Sequence, residues 1–215
     1  MQFDNTDIDV PFNYRHHCWF CAEPAGHSFT FPHSEHLVFD CSHDPLTLPS
    51  CAECARAANQ AEVRSIWQVE KSVKVYLIEK YRKDLAIGIN WTQDELANAG
   101  FEEGSFAGFQ KSAWFMYEVA RDRVNFHGWP LVLNGIEMVN EDIDIDIAFC
   151  FDGVSYPSID QAMEHYSVNF ALDLPFLRRV MAKVGPKSFA KAVRFCRLYV
   201  GATPNEKSLA LREFS

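Results

Sequence analysis

Residues 16–60 read HHCWFCAEPAGHSFTFPHSEHLVFDCSHDPLTLPSCAECARAANQ and carry two CxxC pairs, Cys18 with Cys21 and Cys51 with Cys54. Zn²⁺ takes four soft or borderline ligands in a tetrahedron, and thiolates supply them without redox cost. Two Cys separated by two residues turn both sulfurs toward one ion from a tight knuckle, and a second pair closes the site. The gap between Cys21 and Cys51 holds 29 residues. That exceeds the roughly 15–20 of the common pattern and leaves room for a hairpin. At the second pair, Ser50 can cap a helix and the residues that follow are good helix formers. Knuckle, hairpin and ligand-bearing helix start make a treble clef. One structural zinc ion on Cys18, Cys21, Cys51 and Cys54 is expected, although four thiolates also suit Fe.

Working outward, the chain has 215 residues, 48% of them hydrophobic and 23% charged, with 18 Phe and seven Cys. That composition predicts a packed core and excludes a disordered chain. No apolar run reaches the roughly 18–20 residues of a membrane span. The start, MQFDNTDIDV, is acidic and has no apolar h-region, which predicts a cytoplasmic protein without a secretory signal. An odd Cys count and two CxxC pairs favour metal over a disulfide framework. Cys150 and Cys196 sit among apolar residues and read as core thiols. Cys41, His43, His16, His17, His27, His33 and His36 remain as alternative ligands, for one position or for a second site.

The run EHLV…LTLPSCAEC resembles the HNH-type endonuclease domains, a treble-clef group, over residues 16–60. The resemblance implies that Glu35-His36 is the acidic-His step and that His36 is the general base that activates water. The usual Asn before the third Cys is replaced by Leu46 or Thr47, and Ala55 follows the fourth Cys. The module therefore reads as a structural zinc scaffold, with a metal-dependent nuclease as the alternative.

In residues 61–88, Val63, Ile66, Trp67, Val73, Leu77, Tyr81 and Leu85 recur at helical steps, with Lys71, Lys74, Lys80, Arg82 and Lys83 on a solvated face. Thr92 and Glu95 form a capping box. Residues 105–125 read as a further helix, with Phe106, Phe109, Ala113, Met116, Ala120 and Val124 in line. Asn134-Gly135 lies between two apolar runs, a type I′ hairpin signal, and hairpins are expected near 130–156. In EDIDIDIAFCF, Asp142, Asp144 and Asp146 alternate with Ile143, Ile145 and Ile147. Alternate positions on a strand lie about 7 Å apart, so these carboxylates read as a solvated face, or one facing basic helices, rather than an ion site.

Net charge is −9, from 20 Lys and Arg against 29 Asp and Glu. That disfavours non-specific nucleic-acid binding, because phosphate affinity comes mainly from Lys and Arg. The charge is uneven. Residues 129–160 hold seven acids and no base, and residues 174–205 hold seven bases and no acid. Arg178, Arg179 and Lys183, then Lys187, Lys191, Arg194 and Arg197, fall on two adjoining helices that can hold phosphate or face the acidic stretch. Pro175, Pro186 and Thr203-Pro204-Glu206 mark helix starts, and Ser158 with Gln161 caps a helix over 159–171.

FDGVSYPSIDQAM, followed by GPKSFAKAVRF, is similar to the NADAR family of N-glycosidases, over about 50 residues. Asp152, Gly153, Tyr156, Pro157 and Ser158 fit its motif. The resemblance implies ADP-ribosyl or related riboside substrates, with Asp160 supporting an oxocarbenium-like transition state.

The fold expected is α+β: a zinc-bound treble clef over 1–60, then a mostly helical domain over 61–215 with a small antiparallel sheet. A module of some 45 residues gains little from its own core, so the metal supplies folding energy. The aromatic interior and the lack of a catalytic dyad suggest a binding or adaptor role toward a protein partner.

Overall fold

A computed structural model describes residues 6–32, 41, 43–98, 109–140 and 149–214. The chain is α+β. It falls into two compact units, Met1–Asp146 with Asp152–Ser155, and Ile147–Phe151 with Tyr156–Ser215.

In the first unit, strands β1 (Thr6–Asp7), β2 (His27–Phe31) and β3 (Leu46–Ser50) form one sheet in the order β1-β3-β2. β1 runs parallel to β3, and β2 runs antiparallel to it with Phe29 opposite Leu48 and Phe31 opposite Leu46. Period-2 alternation puts Phe29, Phe31, Leu46, Leu48 and Ser50 on one buried face. On the other face the hydroxyls of Thr30 and Thr47 meet at 3.2 Å. Helix α1 (Ala52–Ala58) follows β3 directly. Its cap is Cys51, whose sulfur accepts from the Cys54 N–H, not the expected Ser50, which is the last residue of β3.

The helical pattern of 61–88 divides in two. Ser65 caps α2 (Ile66–Lys80) by accepting from the Gln68 N–H. Tyr81, at φ −95° and ψ 17°, separates α2 from α3 (Arg82–Asn90). Thr92 and Glu95 form the expected capping box on α4 (Gln93–Ala97). Helix α5 (Phe109–Asn125) packs against α3, and α2 packs against α1 and α5. Phe106 lies outside the described residues. Asn134 and Gly135, both at positive φ, join β4 (Val132–Leu133) to β5 (Ile136–Glu137). The boundary expected at residue 60 therefore falls inside the first unit, because α1 rests on α2.

Strands β6 (Phe149–Phe151) and β7 (Val154–Tyr156) meet at Asp152-Gly153, again two positive-φ residues. The Asn125 side chain donates to the Gly153 carbonyl at 2.7 Å and accepts from the Ser155 N–H at 2.9 Å. These bonds tie Asp152–Ser155 to the first unit. Asp142, Asp144 and Asp146 lie outside the described residues.

The second unit holds α6 (Ile159–Asn169), α7 (Leu174–Val184), α8 (Phe189–Arg197) and α9 (Pro204–Glu213). Ser158, Asp173 and Thr203 cap α6, α7 and α9 through their side chains. Its core centres on an aromatic cluster, with Phe189 within 5.3 Å of the ring centres of Phe149, Phe151 and Tyr166. Cys196 is buried as expected, but Cys150 is exposed. On a strand, neighbours point to opposite faces, so Phe149 and Phe151 take the inner face and Cys150 the outer one.

Candidate metal centre

The first CxxC pair sits in a knuckle. The Cys18 carbonyl accepts from the N–H groups of Cys21, at 3.3 Å, and Ala22, at 2.9 Å. Ala22 has φ 61°, a left-handed conformation that a Cβ disfavours. Antiparallel pairing of β2 with β3 then returns the chain, and Cys51 and Cys54 arrive at the first turn of α1.

The sulfurs of Cys18, Cys21, Cys51 and Cys54 all lie within 4.8 Å of one another. Those of Cys21 and Cys51 are 3.8 Å apart. A Zn–S bond of about 2.3 Å gives a tetrahedral edge of about 3.8 Å, whereas a disulfide brings sulfurs to about 2.05 Å. The spacing suits ligands around a shared ion and not a bonded pair. Cys18, Cys21 and Cys54 are buried and Cys51 is partly so. Crowding splits the acidities of the thiols. Hydrogen bonding to Cys18 lowers Cys21, to about 7, and lowers Cys51 further still. Cys18 is pushed up, first by its bond to Cys21, and Cys54 is pushed up, first by Cys18.

Two cations stand beside the sulfurs, and sequence reasoning identified neither. Lys74 was expected on a solvated face, but it is buried. Its ammonium donates to the carbonyls of Phe20, at 2.6 Å, Arg123, at 3.1 Å, and Phe126. Three donors meet three acceptors, so the ammonium is saturated. Two of those carbonyls belong to the C-terminal end of α5, the negative pole of the helix, and the third lies inside the knuckle. Burial lowers the Lys74 pKa, and the charges of Glu70 and the cysteines oppose that shift.

The other cation is Arg123, near the end of α5. It donates to the Cys21 sulfur at 3.7 Å and to Glu53 at 2.6 Å, and also to the Tyr81 hydroxyl. Its guanidinium lies 4.7 Å from the centre of the Tyr81 ring. Glu53 stands between Cys51 and Cys54 on α1, and accepts from Lys80 and from the Tyr81 hydroxyl as well. Burial opposes ionisation of Glu53, but the bonds from Lys80, Arg123 and Tyr81 outweigh it and hold the carboxyl below its usual range. Pairing of a sequence-distant base with the residue between two ligands leaves no periodic signal. The only hint was a Glu inside CAEC.

Trp19 also anchors the knuckle to the segment after α5. Its indole N–H donates to the Trp129 carbonyl at 3.0 Å. A Cβ at Gly128 would sit 2.3 Å from the indole, so the chain can approach Trp19 only with glycine there.

The other candidate ligands fall away from the cluster. The His43 Nε2 accepts from the Ile66 N–H at 2.9 Å, which leaves Nδ1 to donate to the Asp44 carbonyl at 2.9 Å. His43 is thus a helix-start residue, packed between Phe31 and Trp67. The Cys41 sulfur donates to the His43 carbonyl. His16, His17 and His27 are exposed, and among the described residues none joins the four sulfurs. Glu35, His36 and His33 lie outside the described residues. Asp160 is exposed and pairs with Arg178 at 3.4 Å. No helix among the described residues is long and apolar enough to cross a membrane. No protein-family model matches the chain, and comparison with curated proteins and with solved structures returns no match.

Proposed function

We propose that this is a binding or adaptor protein whose first unit is held by one structural zinc ion on Cys18, Cys21, Cys51 and Cys54, in a treble clef. The observation that carries this reading is the convergence of four sulfurs within 4.8 Å of one another beside two buried cations. Four thiolates around one divalent ion leave two negative charges. Lys74, Arg123 and Lys80 supply three positive charges against these two and the ionised Glu53 between the ligands, so the centre is electrostatically balanced. The protein side chains close the centre with four ligands, the pattern of a structural rather than a catalytic site.

Metal analysis of the purified native protein should find one zinc per chain. Cys51→Ser should lose that zinc together with the structure of the first unit. A metal-free protein with a native circular dichroism spectrum would refute the proposal.

A second reading, a metal-dependent nuclease, is favoured by the chain order of knuckle, hairpin and helix start, which is that of the HNH-type domains the segment resembles. It requires nicking of plasmid DNA with added Mg²⁺ and loss of nicking in His36→Ala. The adaptor reading requires no nicking by either protein.

A further inference from the structure

The second unit has a charge opposite to that of the whole chain. Over residues 156–215 the sequence has nine Lys and Arg against five Asp and Glu, although the chain carries −9 overall. Several of these bases are already engaged. Arg178 pairs with Asp160 and Glu164, Lys207 pairs with Asp173 at 2.7 Å, and Lys183 donates to the carbonyls of Leu211 and Arg212.

On helix α8 the Arg197 guanidinium lies 4.3 Å from the centre of the Phe170 ring and Arg194 donates to the Ala190 carbonyl at 3.3 Å, so both are held along the helix. Phe189, Ala192, Val193 and Cys196 face the core, which turns Lys191, Arg194 and Arg197 outward, with Lys187 in the turn before them. Among the described residues no carboxylate pairs with Lys187, Arg194 or Arg197. Lys191, Arg194 and Arg197 border an open groove of about 650 Å³, lined also by Phe195, Leu198 and Phe214. Phe195 and Phe214 stack at 3.9 Å, and the Lys191 ammonium lies 5.0 Å from the centre of the Phe214 ring.

We propose that this groove binds single-stranded nucleic acid. Cations along one helix face neutralise successive phosphates, and the half-buried rings of Phe195 and Phe214 give the groove an aromatic wall against which an unpaired base can stack once Lys191 turns to a phosphate. An acidic peptide matches the charge but brings no base to stack, and a duplex keeps its bases inside the helix. The inference names a partner for the binding role above and rests on that reading. Zinc stoichiometry reports on the metal centre, and oligonucleotide affinity reports on the groove, so either can fail without the other.

The test is a titration of fluorescein-labelled dT12 with the full-length protein, followed by anisotropy between 50 and 200 mM salt. Contact with three or four phosphates predicts a log–log salt slope of about −2 to −3, at roughly −0.7 per phosphate on a single strand. Arg194→Gln with Arg197→Gln removes two of these cations, and with them the contact of Arg197 over the Phe170 ring. The double variant should bind about tenfold more weakly, with a slope shallower by about 1.4 and a thermal midpoint lowered by no more than about 4 °C, the share of the lost Phe170 contact. Phe214→Leu should weaken binding about tenfold and leave the slope alone, which a purely electrostatic surface would not do. A slope near zero overturns the proposal, as does full affinity in the double variant. Equal affinity for a 12-residue polyglutamate peptide, or tighter binding of a 12-base-pair duplex, overturns it in favour of those partners.

Discussion

Lys74 shows what one buried cation does for a metal centre. Its ammonium joins the knuckle to the end of α5 through three carbonyls. Lys74→Met keeps most of the side-chain volume but leaves those acceptors unsatisfied and one charge beside the sulfurs unbalanced. A cost of about 3 kcal/mol or more is expected in the urea unfolding midpoint. Zinc affinity should fall about 10–100-fold in competition with a chromophoric chelator, the usual effect of losing an outer-shell partner. A variant with parental values for both would show that Lys74 is only packing. In the sequence this residue looked like any helix lysine. Periodicity reports which side of a helix is apolar, but it does not reveal that a carbonyl cage from another element covers the polar side.

Among the elements, most boundaries were legible because capping chemistry is local. Thr92 with Glu95, Ser158 with Gln161, and Thr203 with Glu206 each do in the structure what their spacing implied. Asn134-Gly135 turns because both residues accept positive φ. The break at Tyr81 and the outward turn of Cys150 were not legible, since each depends on which neighbour an element packs against. The four sulfurs were found from spacing alone, whereas Glu53, Tyr81 and Arg123 come together only through the packing of α1, α2 and α5. Asp173 gives an element-level test. It caps α7 and also pairs with Lys207 of α9, and the Lys207 bond, followed by the Phe176 N–H, lowers its pKa. A carboxyl lowered on folding adds stability above its unfolded value of about 3.9, and that gain is lost as pH falls through the folded value. Asp173→Asn keeps the cap but not the charge. It should cost under about 1 kcal/mol at pH 7, since the pair is partly exposed. The gap from the parent should close below about pH 4. A gap at pH 2 as large as that at pH 7 in thermal melts would exclude this ion pair as its source.

For the whole molecule, the two units differ in what holds them. The first is organised around sulfurs and buried cations, and the second around Phe189 and its aromatic neighbours. Chelation should therefore act regionally. With a strong chelator, amide hydrogen exchange should accelerate across residues 18–60 and 66–80 while residues 159–197 keep their protection. Uniform acceleration through both units would mean that they unfold as one. The position of the cations in the chain has a further consequence for biosynthesis. Cys18 to Cys54 leave the ribosome before Lys74, and well before Arg123 and Phe126. The nascent chain thus passes through an interval in which the four clustered sulfurs are present but their counter-charges are still being translated. On the zinc reading proposed above, an ion captured in that interval would be held by thiolates alone until α5 emerges to supply Arg123 and the carbonyls that hold Lys74.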